Sequence, residues 1–135
     1  MLEGLIRACP DALWAERMGG YPFWRLACHA VEGLASWCPA PGREPVQPEM
    51  PVPAELDAPC AEVLSREALL RYLDGARRGA YAHYAAIDGE GAPSDAALGQ
   101  LRHLMFHVGH LDACMRDRGL PGSTWKGWGE EDIAP

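Results

Sequence analysis

The chain has 135 residues, 48% hydrophobic and 23% charged, which is enough for one domain with its own core and too apolar for a disordered chain. Twelve Lys and Arg against nineteen Asp and Glu leave a net charge of -7, the wrong sign for gripping a phosphate backbone. No apolar run approaches the ~20 residues that cross a bilayer. The opening MLEGLIRACPDALW also lacks a basic stretch followed by an apolar one, so neither nucleic acid nor membrane is expected as a partner and the expected location is cytoplasmic.

Leu2, Leu5 and Ile6 predict a helix that Pro10 interrupts, with Asp11 to Arg17 forming a separate short turn. A first helix of about two turns is short for a bundle. Either a second chain completes the packing or the bundle is lopsided. The next helix is predicted over 22–38, with Pro22 in its first turn and Pro39 beyond its end. Trp24, Ala27, Val31, Leu34 and Cys38 repeat there at spacings of three and four. Residues 39–59 hold seven prolines (Pro39, Pro41, Pro45, Pro48, Pro51, Pro53 and Pro59), a density no regular helix survives. Residues 39–64 are therefore predicted as an extended crossover joining two parallel helices of a bundle.

Ser65 caps a predicted helix over 65–87, with Glu67 in its positive first turn and Leu69, Leu73, Ala76, Ala80 and Ile87 on one seam. Asp88-Gly89-Glu90-Gly91 ends it. The last helix, over 94–118, is capped by Ser94 and carries the ladder Ala97, Leu101, Leu104, Val108, Leu111, Met115. Gly119 in a left-handed conformation, Leu120 folded onto Met115, and Pro121 close it. The tail, 120–135, is expected to pack back through Trp125 and Trp128. Alternating β-branched runs are missing, so the single domain, 1–135, is expected to be all-α.

Cys9, Cys28, Cys38, Cys60 and Cys114 are separated by 19, 10, 22 and 54 positions, with no C-x-x-C. That spacing excludes a zinc ribbon and a thioredoxin-type motif and predicts five free thiols, most of them buried as small apolar groups. The histidines are more informative. His103 and His107 are four apart, about 40° around and ~6 Å along a helix, so both imidazoles reach one ion. Gln100, His103, His107, His110 and Cys114 form a second ladder one residue before the apolar one, bordering the core. An H-x-x-x-H pair needs a third ligand, and His29 is the candidate, mid-helix with small Ala30 and Gly33 around it. Three imidazoles leave a fourth position for water or substrate, as catalytic metal sites do.

The segment YPFWRLACHAVEGL, followed after a Pro-rich gap by LRHLMFHVGHLDACMRDRGLPGSTW, resembles the DinB-like metalloprotein superfamily over about residues 11–128. The late H-x-x-x-H helix is the specific part. The resemblance implies an up-down-down-up four-helix bundle with a long crossover between helices 2 and 3, frequently dimeric. It implies a divalent metal, zinc or nickel, on His29, His103 and His107, with Arg116 and Trp125 matching an Arg and a Trp that commonly follow. Characterised branches of the family include transferases and isomerases that use a low-molecular-weight thiol cosubstrate (bacillithiol, mycothiol or glutathione), while most members have no assigned reaction. Two departures stand out. His110 replaces the family's Gln, and the first helix is shorter.

His110 is about 10.5 Å along the axis from His103 and is placed beside the ligands rather than among them. Glu32, three residues past His29, is a weak candidate for a fourth ligand or a catalytic base, with a solvent-reaching carboxylate as the blander expectation. His83 is expected as a hydrogen-bonded histidine at the core edge, and Arg71, Arg77 and Arg78 as a solvated face. Cys28 points about 100° away from His29 and takes no reactive role. The expected function is a divalent-metal-dependent enzyme acting on a small molecule, as a homodimer. The alternative is a non-catalytic metal- or ligand-binding dimeric bundle.

Overall fold

The computed structural model describes residues 1–38, 52–53, 55–86 and 95–124 and is mostly helical. Short helices α1 (Leu2–Ala8) and α2 (Asp11–Trp14) lead into strands β1 (Arg17–Met18) and β2 (Tyr21–Pro22). Three long helices follow: α3 (Phe23–Trp37), α4 (Arg66–Ala85) and α5 (Asp95–Arg116). Each long helix begins and ends within two residues of where its periodicity places it. The crossover prolines from Pro39 to Pro51, Ile87 and the 88–91 turn, the Ser94 cap, Trp125 and Trp128 lie outside the described residues. No helix among the described residues is long and apolar enough to cross a membrane.

Helix α3 is the centre of the molecule, with α5 and α4 packed against it and α1 touching all three. Phe23 through Cys28, with Ala30, Val31 and Glu32, are all buried, so the amino-terminal part of this helix is enclosed while its last turn is partly open. The ends of α4 and α5 follow the local chemistry of the sequence. Ser65 Oγ accepts from Ala68 N–H at the start of α4, satisfying an otherwise orphaned donor. At the end of α5, Gly119 takes φ +71° while Gly119 N–H donates to Arg116 O (2.8 Å) and Leu120 N–H to Met115 O (3.1 Å). This is the Schellman pattern, and Leu120 packs against the core beside it.

The expectation of an all-helical chain misses the hairpin. Met18 pairs with Tyr21 and Arg17 with Pro22 across Gly19 and Gly20, whose φ values are +64° and +104°. Two consecutive positive φ values are what a type I′ two-residue hairpin turn demands, and glycine reaches them without a Cβ clash. The hairpin buries Met18 completely.

The amino-terminal segment is latched to the start of α4. Trp14 Nε1 donates to Leu64 O (2.7 Å), and the Arg66 guanidinium lies 5.0 Å over the Trp14 ring while donating to Arg7 O and Asp11. Leu2, Leu5 and Ile6 share one buried cluster with Leu111 and Met115. At 1.5 Å per residue, α1 spans about 10 Å and α5 about 33 Å, so α1 covers a third of its neighbour at most. Leu98, Leu101 and Met105 are left exposed, Leu101 at 56%. Leu101 alone departs from the predicted ladder, since Leu104 also packs against the core. Ala97, Val108, Leu111 and Met115 point inward, and Gln100 and His107 of the neighbouring ladder are buried beside them.

Candidate metal centre

Helix α3 carries His29, and one face of α5 carries His103 and His107 a turn apart. One nitrogen from each ring lies within 4.8 Å of the other two, the only such three-residue His/Cys/Asp/Glu group among the described residues. His103 Nε2 and His29 Nε2 are 3.2 Å apart. The ring centroids are separated by 5.1, 4.8 and 4.6 Å, and each pair meets edge to face at 71–80°. Two imidazole nitrogens on a tetrahedral zinc, at ~2.0–2.1 Å each, stand about 3.3 Å apart. The His29–His103 spacing therefore fits two ligands of one ion.

Two neighbours set this geometry. A Cβ at Gly33 would stand 2.5 Å from His103 Cε1 and 2.7 Å from its Nδ1, so the bare backbone of α3 is what admits the ring. Gln100, one turn before His103, is buried, and with its amide oriented to satisfy its neighbours it donates to Gly33 O (3.1 Å) and accepts from Leu34 N–H (2.9 Å). That pair of bonds pins α5 to α3 beside the histidines. Trp37 stacks on the outer side of His103, with centroids 5.6 Å apart and planes 24° from parallel.

Burial pushes the His107 imidazole down to about 4, and repulsion from His103, His29 and His110 adds to it. His103 is lowered as well, by burial first and His29 second. Both rings are therefore neutral at pH 7, with a lone pair available to a cation. Nδ1 of each is buried without a hydrogen-bond partner, an arrangement rare in protein interiors. Three imidazoles converging at this spacing could hold a divalent metal ion.

Glu32 and His110 are outside the ligand set. Glu32 is only 7% exposed, which corrects the solvent-reaching carboxylate. Burial raises its pKa, Glu55 adds to the rise, and His29 and Arg25 pull the other way. On that side of α3 burial also pushes the Cys28 thiol to about 12 and raises Tyr72, whose hydroxyl is buried without a partner. Cys28 is inert, as expected, and all five cysteines are free. His110 sits against the hairpin turn, where a Cβ on Gly19 would overlap its ring.

The other singled-out residues lie elsewhere. His83 meets Tyr84 edge to face at 5.6 Å, away from the triad. Arg77 and Arg78 pair with Asp74 on the surface, and Arg77 also reaches Glu3. Arg116 donates to Asp112 (2.7 Å), whose carboxylate also accepts from Ser123, so it anchors the turn after α5. It is nine residues past His107, about 13.5 Å along the helix. Gln100, Trp37 and Phe106 are the site residues that sequence reasoning missed. Gln100 alone had a signal, its place on the histidine ladder. The chain matches no protein-family model, no curated protein and no solved structure.

Proposed function

We propose that the chain is a divalent-metal-dependent enzyme of the DinB-like type, holding zinc or nickel on His29, His103 and His107 and acting on a small molecule. The observation that carries this reading is the convergence of three imidazole nitrogens, from two helices, within 4.8 Å. A bound divalent ion supplies Lewis acidity and lowers the pKa of a water or thiol that it binds, which is where a low-molecular-weight thiol cosubstrate would enter. The chain's own residues do the rest. Gln100 and Gly33 orient His103, Trp37 screens its outer side, and Glu32 holds a proton more readily than an exposed carboxylate one turn from His29.

The same reading makes α1, α3, α4 and α5 a four-helix, up-down-down-up bundle with a curtailed first helix. A second copy would then cover Leu98, Leu101 and Met105, which α1 is too short to reach. That face also favours the rival reading, a non-catalytic dimeric bundle that binds a metal or ligand. A three-imidazole set argues for the enzyme, because structural zinc sites close with four protein ligands.

The test is metal content of the purified protein by mass spectrometry, wild type against His107→Ala, with helicity checked by circular dichroism. About one equivalent in the wild type and a loss in a folded variant supports the metal centre; negligible metal in both overturns it. Titrating glutathione into cobalt-loaded protein separates the two functions. A shift in the visible absorption bands marks an open position, and an unchanged spectrum favours the closed, non-catalytic site.

A further inference from the structure

Trp37, Gly99, Arg102, His103 and Phe106 line an open cleft of about 330 Å³ next to the metal centre, at the small end of ligand-binding cavities. Its walls are aromatic and held in place. Trp37 stacks on His103 and lies against Gly99, where a Cβ would come 3.3 Å from its ring. Phe106 is fixed edge-on by His107 and His110, at centroid distances of 5.2 and 6.4 Å. Both rings nonetheless stay open to water, Trp37 at 47% and Phe106 at 68%. The cleft contains one charged residue, Arg102, which makes no hydrogen bond or ion pair to another described residue. Most other described arginines have an acceptor.

We infer that this cleft binds a planar aromatic molecule carrying one anionic group, with the ring against Trp37 and Phe106 and the anion on Arg102. Aromatic faces take up a flat apolar body by stacking or edge contact, and a guanidinium takes a carboxylate or sulfonate through paired N–H donors. His103 is a wall of both the cleft and the metal centre, so the bound molecule lies beside the ion. Calling it the substrate class rests on the proposed enzyme; the binding itself does not.

A second copy of the chain is the weaker occupant. The exposed stripe of Leu98, Leu101 and Met105 is centred roughly 100° around α5 from Phe106, with Arg102 between the two. Burying Arg102 under another protein surface without a carboxylate partner is also unfavourable.

Isothermal titration calorimetry with 1-naphthoate tests this, on zinc-loaded and on chelator-treated full-length protein. Comparison ligands are 1-naphthylmethylamine, with the opposite charge on the same ring, and acetate, with the charge and no ring. The expected result is naphthoate binding at least tenfold tighter than either. Arg102→Glu and Phe106→Ala should each weaken it tenfold or more, and Arg71→Glu on the far surface should leave it unchanged. Both Arg102 and Phe106 are exposed, so neither variant threatens the fold. Equal affinity for the amine, no binding at all, unchanged binding in Arg102→Glu, or naphthoate competing with dimer formation each overturns the proposal. Naphthoate binding to a protein that takes up no zinc leaves the cleft and removes the metal centre. Zinc uptake without naphthoate binding does the reverse.

Discussion

Gly33→Ala sets two effects of one methyl group against each other. In the interior of a helix, Ala is preferred over Gly by about 0.5–1 kcal/mol, so α3 taken alone gains stability. The same methyl carbon would stand 2.5 Å from His103 Cε1 and 2.7 Å from Nδ1, where non-bonded carbons settle at about 3.5–4.0 Å. The imidazole has to move by about 1 Å, with Trp37 stacked on its outer side. A zinc–nitrogen bond is ~2.0–2.1 Å long, so a shift of that size removes His103 from the ligand set or strains it. Losing the orientation of a ligand costs about 10–100-fold in metal affinity, or roughly 1.4–2.7 kcal/mol. The expected outcome is a metal-free melting temperature equal to or above wild type, with zinc affinity at least about tenfold lower. Chelator-competition titration and thermal melts of the metal-free protein measure the two halves. Unchanged zinc affinity in the variant would refute the placement of His103 against the α3 backbone.

The His107 shift predicts acid sensitivity with a definite sign. Its folded pKa, about 4, lies below the unfolded 6.5, so the unfolded chain binds more protons between those values. The stability is whole above pH 6.5 and falls as pH drops towards 4, by about 3 kcal/mol in total. Urea melts of metal-free protein at pH 7.5 and 4.5 should show it, with a flatter profile in His107→Gln; identical profiles would contradict the assignment. Gly19→Ala meets both a positive φ of +64° and the His110 ring, and should destabilise by about 2 kcal/mol. Adding His110→Ala should recover part of that loss, and strictly additive effects in denaturant melts would rule out the contact. A homodimer built on the Leu101 face predicts twice the 14.7 kDa chain mass by light scattering and a return to monomer in Leu101→Glu. A monomeric wild type would count against that face as the interface.

What could be read beforehand depended on how local the determining physics was. Pro10, Ser65 and Gly119 act within one turn of themselves, so the break after α1 and the ends of α4 and α5 were visible. The cluster of three histidines was visible because i, i+4 spacing is a property of any helix and His29 was the one histidine in the 22–38 helix. The exposure of Leu101 was not. Leu101 and Gln100 are adjacent, and which of them turns inward depends on Gln100 finding Gly33 O and Leu34 N–H on another helix. The smallness of Gly33 is plain in the sequence, yet the ring it admits belongs to His103 rather than to its own helix's His29. Glu32 was expected in solvent because burying a carboxylate is unfavourable, and only the crowding around α3 encloses it. The hairpin had one local mark, Gly19-Gly20, and strands of two residues carry no alternation to detect.

The central claim is that three imidazoles share one ion, and X-ray absorption at the zinc edge of the loaded protein tests it most directly. The account predicts nitrogen or oxygen scatterers at ~2.0–2.1 Å with the multiple-scattering pattern of about three imidazoles. A sulfur shell near ~2.3 Å, or a first shell without imidazole scattering, would contradict it.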